Sequence, residues 1–363
     1  MTILNPGPSR RSFLYRLGVM GAAPALVDGL SALGLSGTSS AEGVGKSSAS
    51  GDSTVAAGKT PVWSHEYWAQ RGDVKLYMFR KRMHAPKPGE KPLPVLFLVH
   101  GSSISSRPSF DLNVPGHGEY SLMDKFAGYS YDVWTMDFEG YGHSSPGAGN
   151  SNIADGVEDL KAAVPLVLKE TGQERIHFFG ESSGALRVGA YAVVQPEHVG
   201  RLVLAAFTYT GEGSPTLNDR AKQLDFYRTH NRRPRDRAMI QSIYTRDKVG
   251  TADAAVGDVQ ADAELPFGDS VPTGTYLDMT ANLPVVDPLK VKAPVLMVRG
   301  EYDGIATEQD LFNFFHQLPN GDRQLVILPG MAHSVAMGIN RHELWYVMKS
   351  FLAMPSRVEE KKT

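Results

Sequence analysis

The segment "RIHFFGESSGALRVGAYAVV", residues 175–194, decides the fold. The run "RIHFF" is typical of a buried strand, and the residues after "GESSG" follow a helical pattern. "GESSG" fits the pattern G-x-S-x-G with Ser182 in the middle. In a turn this tight the central residue adopts a strained backbone, and side chains at Gly180 or Gly184 would collide with the neighbouring strand and helix. The sequence therefore predicts a strand, a sharp turn that exposes Ser182, and a helix.

The same alternation continues along the chain. Apolar runs predict strands over residues 74–83, 93–101, 131–138, 175–182, 201–209, 293–303 and 323–330. Helical patterns between them cover residues 119–128, 153–170, 184–195, 306–317 and 337–353. Strands separated by helices indicate an α/β fold, with a mostly parallel sheet covered by helices on both faces.

A serine is a weak nucleophile at neutral pH and needs a base that a carboxylate orients. His333, in "LPGMAHSVAM", follows the last predicted strand, and Asp303, in "VRGEYDGIA", ends the strand before it. Ser182, Asp303 and His333 therefore form the predicted catalytic set. Two alternatives remain open, because Asp303 could be an ordinary helix N-cap and His333 a loop residue that caps the last helix. Glu301 is the reserve acid.

The oxyanion of an acyl-transfer reaction requires hydrogen-bond donors. The backbone N–H of Ser183 is one candidate. The loop "HGSS" after "FLVH" offers the N–H of Ser102 as the other, with Ser103 as second choice. We interpret His100 in this loop as a structural residue.

Composition excludes several classes of protein. The chain has 363 residues, 42% of them hydrophobic, and a formal net charge of -2, which gives no overall field to recruit nucleic acid. It has no cysteine, which excludes disulfides, thiolate metal sites and cysteine nucleophiles. We expect no metal or organic cofactor and no nucleic-acid partner.

The first residues are similar to a twin-arginine export signal. Arg10 and Arg11 precede Phe13 and Leu14 and a Gly/Ala-rich stretch that is too short to span a bilayer. We expect a signal peptide over residues 1–41 and a Gly/Ser-rich flexible linker over 42–59. The prediction is a periplasmic or secreted protein without stable membrane insertion after cleavage.

Residues from about 60 to 355 resemble the α/β-hydrolase superfamily. The resemblance rests on the "HG" loop, "DFEGYGHS" at 137–144, "GESSG", "GEYD" and "GMAH", which occur in the order found in that family. It implies a Ser-His-Asp hydrolase and excludes the family's dehalogenases and epoxide hydrolases, which have an aspartate at the turn. One departure is Glu139, where family members often have arginine. Ser144 belongs to this motif's turn and is not a second nucleophile.

The resemblance also implies a core in two parts, residues 60–209 and 291–355, with a C-terminal tail over 356–363. Between the core parts we expect a mainly helical lid over 210–290, which sets substrate size. Its apolar side chains should pack over the mouth above Ser182; these are Phe226, Tyr227, Met239, Ile240 and Tyr244.

Two stretches of the expected lid are charged. The basic run 228–237 is interpreted as a solvated surface. The alternative is that Arg232, Arg233 or Arg235 binds a substrate carboxylate. The acidic stretch 253–270 is interpreted as a mobile edge of the entrance.

We conclude from the sequence that the chain is an exported serine hydrolase. A carboxylesterase that acts on a small or medium ester is the preferred interpretation. A lactonase, a C–C bond hydrolase and an amidase or aminopeptidase of the same fold remain alternatives. A non-catalytic member that only binds a ligand is a further one.

Overall fold

The computed structural model describes residues 62–355. The predicted signal peptide, the linker and the tail lie outside the described residues, so those predictions remain untested. Ten strands occur in the described part: β1 Trp63–Arg71, β2 Val74–Arg82, β3 Val95–Val99, β4 Asp132–Met136, β5 Ile176–Glu181, β6 Val199–Ala205, β7 Arg232–Pro234, β8 Ser270–Pro272, β9 Val295–Gly300 and β10 Arg323–Leu328.

Eight of these strands form one sheet in the order β1-β2-β4-β3-β5-β6-β9-β10. Six neighbouring strands of this sheet run parallel, namely β4, β3, β5, β6, β9 and β10, while β1 and β2 form an antiparallel hairpin at one edge. The strand β1 was not expected from the sequence, because its burial pattern is mostly exposed and its apolar signal is weak. The remaining strands confirm the predicted mostly parallel sheet.

Helices cover both faces of the sheet. The described helices are α1 Ser106–Phe110, α2 Leu122–Gly128, α3 Ile153–Thr171, α4 Ser183–Val194, α5 Pro215–Ala221, α6 Leu224–Thr229, α7 Arg237–Ser242, α8 Ala254–Glu264, α9 Gly274–Leu277, α10 Glu308–Phe315 and α11 Arg341–Leu352. Side chains of α3, α4 and α10 pack on one face, and those of α1, α2 and α11 on the other. The predicted α/β-hydrolase fold is therefore confirmed. Within residues 62–355, none of the helices has the length and apolarity needed to cross a membrane.

Residues 206–294, which we call the insertion, connect β6 to β9 and contain α5 to α9 and the β7-β8 ribbon. The start of the insertion is held by Asp310 in α10. Its carboxylate accepts hydrogen bonds from the backbone N–H groups of Tyr209, Thr210 and Gly211. This buried carboxylate holds the chain where it leaves the sheet.

The insertion differs from two expectations. Residues 214–230 have an apolar spacing that predicts one amphipathic helix, but the structure forms two short helices there, α5 and α6. The acidic stretch 253–270, expected to be a mobile edge of the entrance, is mostly helical. The helix α8 occupies most of it, and Glu264 at its end is completely buried. Most of the basic run is exposed, as expected, and the exception is Arg235, which is buried in an ion pair with Glu264.

The turn after β5 depends on Gly184, which packs against the end of β3. A Cβ at this position would lie 2.2 Å from the carbonyl oxygen of Val99 and 2.7 Å from that of His100. We expect Gly184→Ala to lower the free energy of unfolding by at least about 2 kcal/mol, since overpacking against a backbone has no easy relief. The matched control is Gly128→Ala at the end of α2, where a Cβ would meet nothing within 4 Å.

Urea unfolding followed by circular dichroism measures both variants. Gly128→Ala should be within about 1 kcal/mol of the wild type, because alanine is the better helix former. Equal stability of the two variants would show that the close approach at Gly184 is not what shapes the turn.

Candidate active site

Ser182 lies at the sharp turn between β5 and α4. Its backbone has φ 60 and ψ -126, and a positive φ is strained for a residue with a side chain. Ser182 N–H donates to the carbonyl of Ala205 in β6, and its own carbonyl accepts from Ala185 in α4. The strand and the helix therefore hold the strained residue in place, as the "GESSG" pattern predicted.

The structure brings the three predicted catalytic residues together. Ser182 Oγ lies 2.9 Å from His333 Nε2, and His333 Nδ1 lies 2.8 Å from Asp303 Oδ1. With the proton on Nδ1, the imidazole donates to the aspartate and accepts from the serine hydroxyl. His333 and Asp303 are both buried, at 6% and 4% exposure, so water competes little for these bonds.

Asp303 is also held by its own loop. Its Oδ1 accepts from the backbone N–H groups of Ile305 and Ala306, at 2.8 and 3.0 Å. Glu301, the reserve acid, accepts from the N–H of Gly330 and is exposed. The hydrogen bond to His333 is therefore made by Asp303 and not by Glu301.

The predicted oxyanion loop lies directly beside the nucleophile. A Cβ on Gly101 would lie 3.3 Å from Ser182 Cβ, so the loop that carries Ser102 passes next to Ser182. Ser183 is the first residue of α4, where the backbone N–H has no partner within the helix. The hydroxyl of Ser102 donates to that of Ser183 at 2.9 Å, which joins the two proposed donor residues. Ser103, the second choice, has its hydroxyl bonded to Tyr276 at 2.6 Å.

Two polar residues near the site are structural, as expected. His100 is fully buried beside Phe138, whose N–H donates to its Nε2. Burial, with the nearby Arg187 charge, lowers the pKa of His100 to about 4, so it stays neutral. Ser144 Oγ donates to the carbonyl of Asp137 at 2.6 Å and is no rival nucleophile.

Two carboxylates next to the site were not found from the sequence. Asp247, in the insertion, accepts from the N–H of His333 at 3.3 Å and pairs with Arg246. Burial opposes ionisation of this carboxyl, but the Arg246 bond and charge hold its pKa below the usual value. Glu181 accepts from the N–H of Ala336, and burial raises its pKa. The hydrogen bonds to Asp247 and Glu181 stabilise the loop that carries His333.

A narrow cavity of about 60 Å³ lies over the nucleophile, between the oxyanion loop and the insertion. Ser182, His333 and Ser102 line it from the core, and Tyr244 lines it from the insertion. A second space of about 570 Å³ adjoins it, and Arg220 lies on the walls of both. The narrow cavity leaves room for the reacting group beside Ser182, and the adjoining space has room for the rest of a small or medium-sized organic molecule.

The other apolar side chains expected above Ser182 have different positions. Phe226 stacks on the ring of His230 with centroids 4.2 Å apart and does not line the cavity over Ser182. Tyr227 and Met239 line only the second space. Ile240 is fully buried and packs with Ile104 and Ala261.

The expected arginine contacts also differ. Arg235 is held by Glu264 and by the carbonyl of Ser103, and Arg232 bonds Ser270 and the carbonyl of Gly140. Of the three, Arg233 lines the second space.

The parallel sheet and the Ser182–His333–Asp303 geometry define the class: this is a hydrolase of the α/β fold. The chain belongs to the family described as serine aminopeptidase, S33, whose model matches residues 116–338. A relative, the 2-hydroxy-6-oxononadienedioate/2-hydroxy-6-oxononatrienedioate hydrolase of Paraburkholderia phymatum, is 36% identical over 125 residues. That alignment spans 33% of this chain and 38% of the relative, so the match covers well under half of either protein.

Solved structures show the same fold at low sequence identity. Carboxylesterase CesB from Bacillus subtilis has a TM-score of 0.56 and 20% identity, covering 81% of this chain and 93% of its own. The 2-hydroxy-6-oxo-6-phenylhexa-2,4-dienoate hydrolase of Rhodococcus sp. strain RHA1 has a TM-score of 0.58 and 18% identity, covering 81% and 100%. These likenesses support the fold and leave the substrate open.

Proposed function

We propose that the chain is a carboxylesterase that cleaves small or medium esters through an acyl-enzyme on Ser182. The observation that carries this proposal is the continuous hydrogen-bonded relay from Ser182 through His333 to Asp303. A binding protein without catalysis has no need of a serine hydroxyl aligned with a buried imidazole and carboxylate. The relay therefore favours an enzyme over the ligand-binding alternative.

The reaction follows from the positions of these groups. His333 Nε2 takes the proton as Ser182 Oγ attacks the ester carbonyl, and Asp303 stabilises the imidazolium that results. The N–H groups of Ser183 and Ser102 donate to the oxyanion of the tetrahedral intermediate. The carbon–oxygen bond to the alcohol then breaks, and His333 gives its proton to the leaving oxygen. Water, activated by the same histidine, hydrolyses the acyl-enzyme and frees the acid.

One finding favours a second candidate, the hydrolysis of a carbon–carbon bond. The Paraburkholderia relative is named for a hydroxy-oxo-dioate substrate, which contains neither an ester nor an amide bond. Hydrolysis of such a compound must break a carbon–carbon bond. The same relay could serve that reaction.

A substrate panel tests the proposal. We expect hydrolysis of p-nitrophenyl acetate and butyrate to exceed hydrolysis of alanine p-nitroanilide and of 2-hydroxy-6-oxononadienedioate in kcat/KM. An organophosphonate should abolish every activity, because each would pass through Ser182. Faster turnover of the dioate than of either ester would replace the carboxylesterase by the second candidate, and no turnover of any compound would favour the ligand-binding alternative.

A further inference from the structure

Arg220, in α5 of the insertion, has an unusual environment. It lies on the walls of both the cavity over Ser182 and the adjoining space. Its Nη1 is buried, and no residue in the range 62–355 provides that atom with a hydrogen-bond partner. The side chain as a whole is half-buried, and a buried donor of a charged group is costly when it has no partner, so Arg220 is a candidate for binding a ligand.

The groups around Arg220 do not neutralise it. The guanidinium lies over the ring of Tyr276 at 5.0 Å, and Arg233 lies over the same ring at 4.6 Å. Burial lowers the pKa of Arg220 to about 10, and the charges of Arg246 and Arg233 act in the same direction, while Tyr276 opposes them. At neutral pH the side chain remains positively charged.

The carboxylates that line these spaces are already engaged. Each has a hydrogen-bond or ion-pair partner: Asp219 bonds Lys222, Asp247 bonds Arg246, Asp303 bonds His333, Glu301 bonds the N–H of Gly330 and Glu181 bonds the N–H of Ala336. None of these five bonds involves Arg220 or Arg233. Arg220 and Arg233 on the cavity wall are therefore available to bind an anion from outside the chain.

Arg220 is also connected to the reacting centre. Tyr276, on which it stacks, shares a hydrogen bond of 2.6 Å with Ser103 in the oxyanion loop. Ser103 and Arg220 both line the two spaces. A group bound to Arg220 would therefore lie next to the cavity in which Ser182 attacks the carbonyl.

We propose that Arg220, assisted by Arg233, binds a carboxylate of the substrate. The preferred substrate is then an ester that carries a free carboxylate a few atoms from the bond that breaks. A guanidinium suits this role because it presents paired donors to the two oxygens of a carboxylate, and such charge-assisted bonds are the strong ones. This inference rests on the proposed esterase function.

Two pairs of substrates of similar shape test the inference. One pair places the charge on the acyl side: the mono-p-nitrophenyl ester of adipic acid and p-nitrophenyl hexanoate. The other places it on the alcohol side: p-carboxyphenyl butyrate and p-carbamoylphenyl butyrate. In at least one pair the wild type should prefer the charged member by tenfold or more in kcat/KM, since a hydrogen bond to a charged group is worth about 1.5–3 kcal/mol.

The variant Arg220→Gln should lose this preference, mainly through a higher KM for the charged ester, and should change kcat/KM for the neutral ester less than threefold. Arg228→Gln is the matched control, because Arg228 is exposed in the neighbouring helix and lines neither space. It should keep the wild-type preference. If Arg220→Gln lost kcat/KM equally for charged and neutral esters, Arg220 would have only a structural role, through its packing on Tyr276. That result would overturn the inference.

A measurement on the wild type alone covers the case in which Arg220→Gln does not fold. Adipate should inhibit hydrolysis of p-nitrophenyl hexanoate competitively at concentrations at least tenfold lower than adipamide does. Equal inhibition by the two, together with no preference in either ester pair, would overturn the carboxylate site while leaving the esterase function intact. If no ester is hydrolysed at all, the proposed function itself has failed.

Discussion

Ser182→Ala should abolish turnover of p-nitrophenyl butyrate, whereas Ser183→Ala should retain most of it. The loss in the first variant should approach the roughly 10⁶-fold seen when the serine of a catalytic triad is removed. The hydroxyl of Ser182 is the one that lies 2.9 Å from His333 Nε2. The hydroxyl of Ser183 is fully buried and bonds Ser102, so it cannot reach a substrate carbonyl.

Ser183→Ala is therefore the matched control within the same turn. It keeps the backbone N–H that we assign to the oxyanion and loses only the bond from Ser102, so we expect a decrease in kcat of less than about tenfold, since a neutral hydrogen bond contributes about 1 kcal/mol. Steady-state kinetics and thermal unfolding should be measured for both variants. A Ser183→Ala enzyme as inactive as Ser182→Ala, with wild-type stability, would contradict the assignment of the nucleophile.

Asp303→Asn should lower kcat by about 10⁴-fold, the loss that follows when the aspartate of a triad is neutralised. Oδ1 of Asp303 accepts from His333 and from two backbone N–H groups, so an asparagine can keep its oxygen in the same place. What it removes is the negative charge that stabilises the imidazolium. Its amide nitrogen would occupy the position of Oδ2, a buried atom without a partner among residues 62–355.

Glu301→Gln is the control for this variant, because Glu301 comes from the same loop and its carboxylate bonds the N–H of Gly330 instead of His333. It should stay within about threefold of wild-type kcat, as expected for a surface substitution away from the reacting groups. Full activity of Asp303→Asn combined with an inactive Glu301→Gln would show that the carboxylate has been assigned to the wrong residue.

The sequence was sufficient to predict the core of the site for a physical reason. Ser182, Asp303 and His333 each follow the carboxyl end of a parallel strand, and those ends meet at one edge of the sheet. Local patterns therefore place residues that are 151 and 30 positions apart in one site. Glycines at the turn add a local signal that needs no knowledge of the rest of the chain.

The insertion could not be predicted in the same way. In the sequence, Arg235 cannot be distinguished from the surface arginines beside it. Its burial depends on Glu264, which is 29 residues away in the chain. Asp247 contacts His333 across 86 residues, and no local pattern links the two. The short helices of this segment are set by contacts with the core and the oxyanion loop, because a helix of six or seven residues has little stability of its own. Arg220 was missed for the same reason.

The central claim is that Ser182 carries the acyl group during the reaction. Incubation of the protein with a fluorophosphonate, followed by peptide mapping by mass spectrometry, tests it most directly. The account predicts one equivalent of label on Ser182, loss of esterase activity in proportion to labelling, and no label in Ser182→Ala. Label on Ser183, or full esterase activity in a protein whose Ser182 is completely labelled, would contradict it.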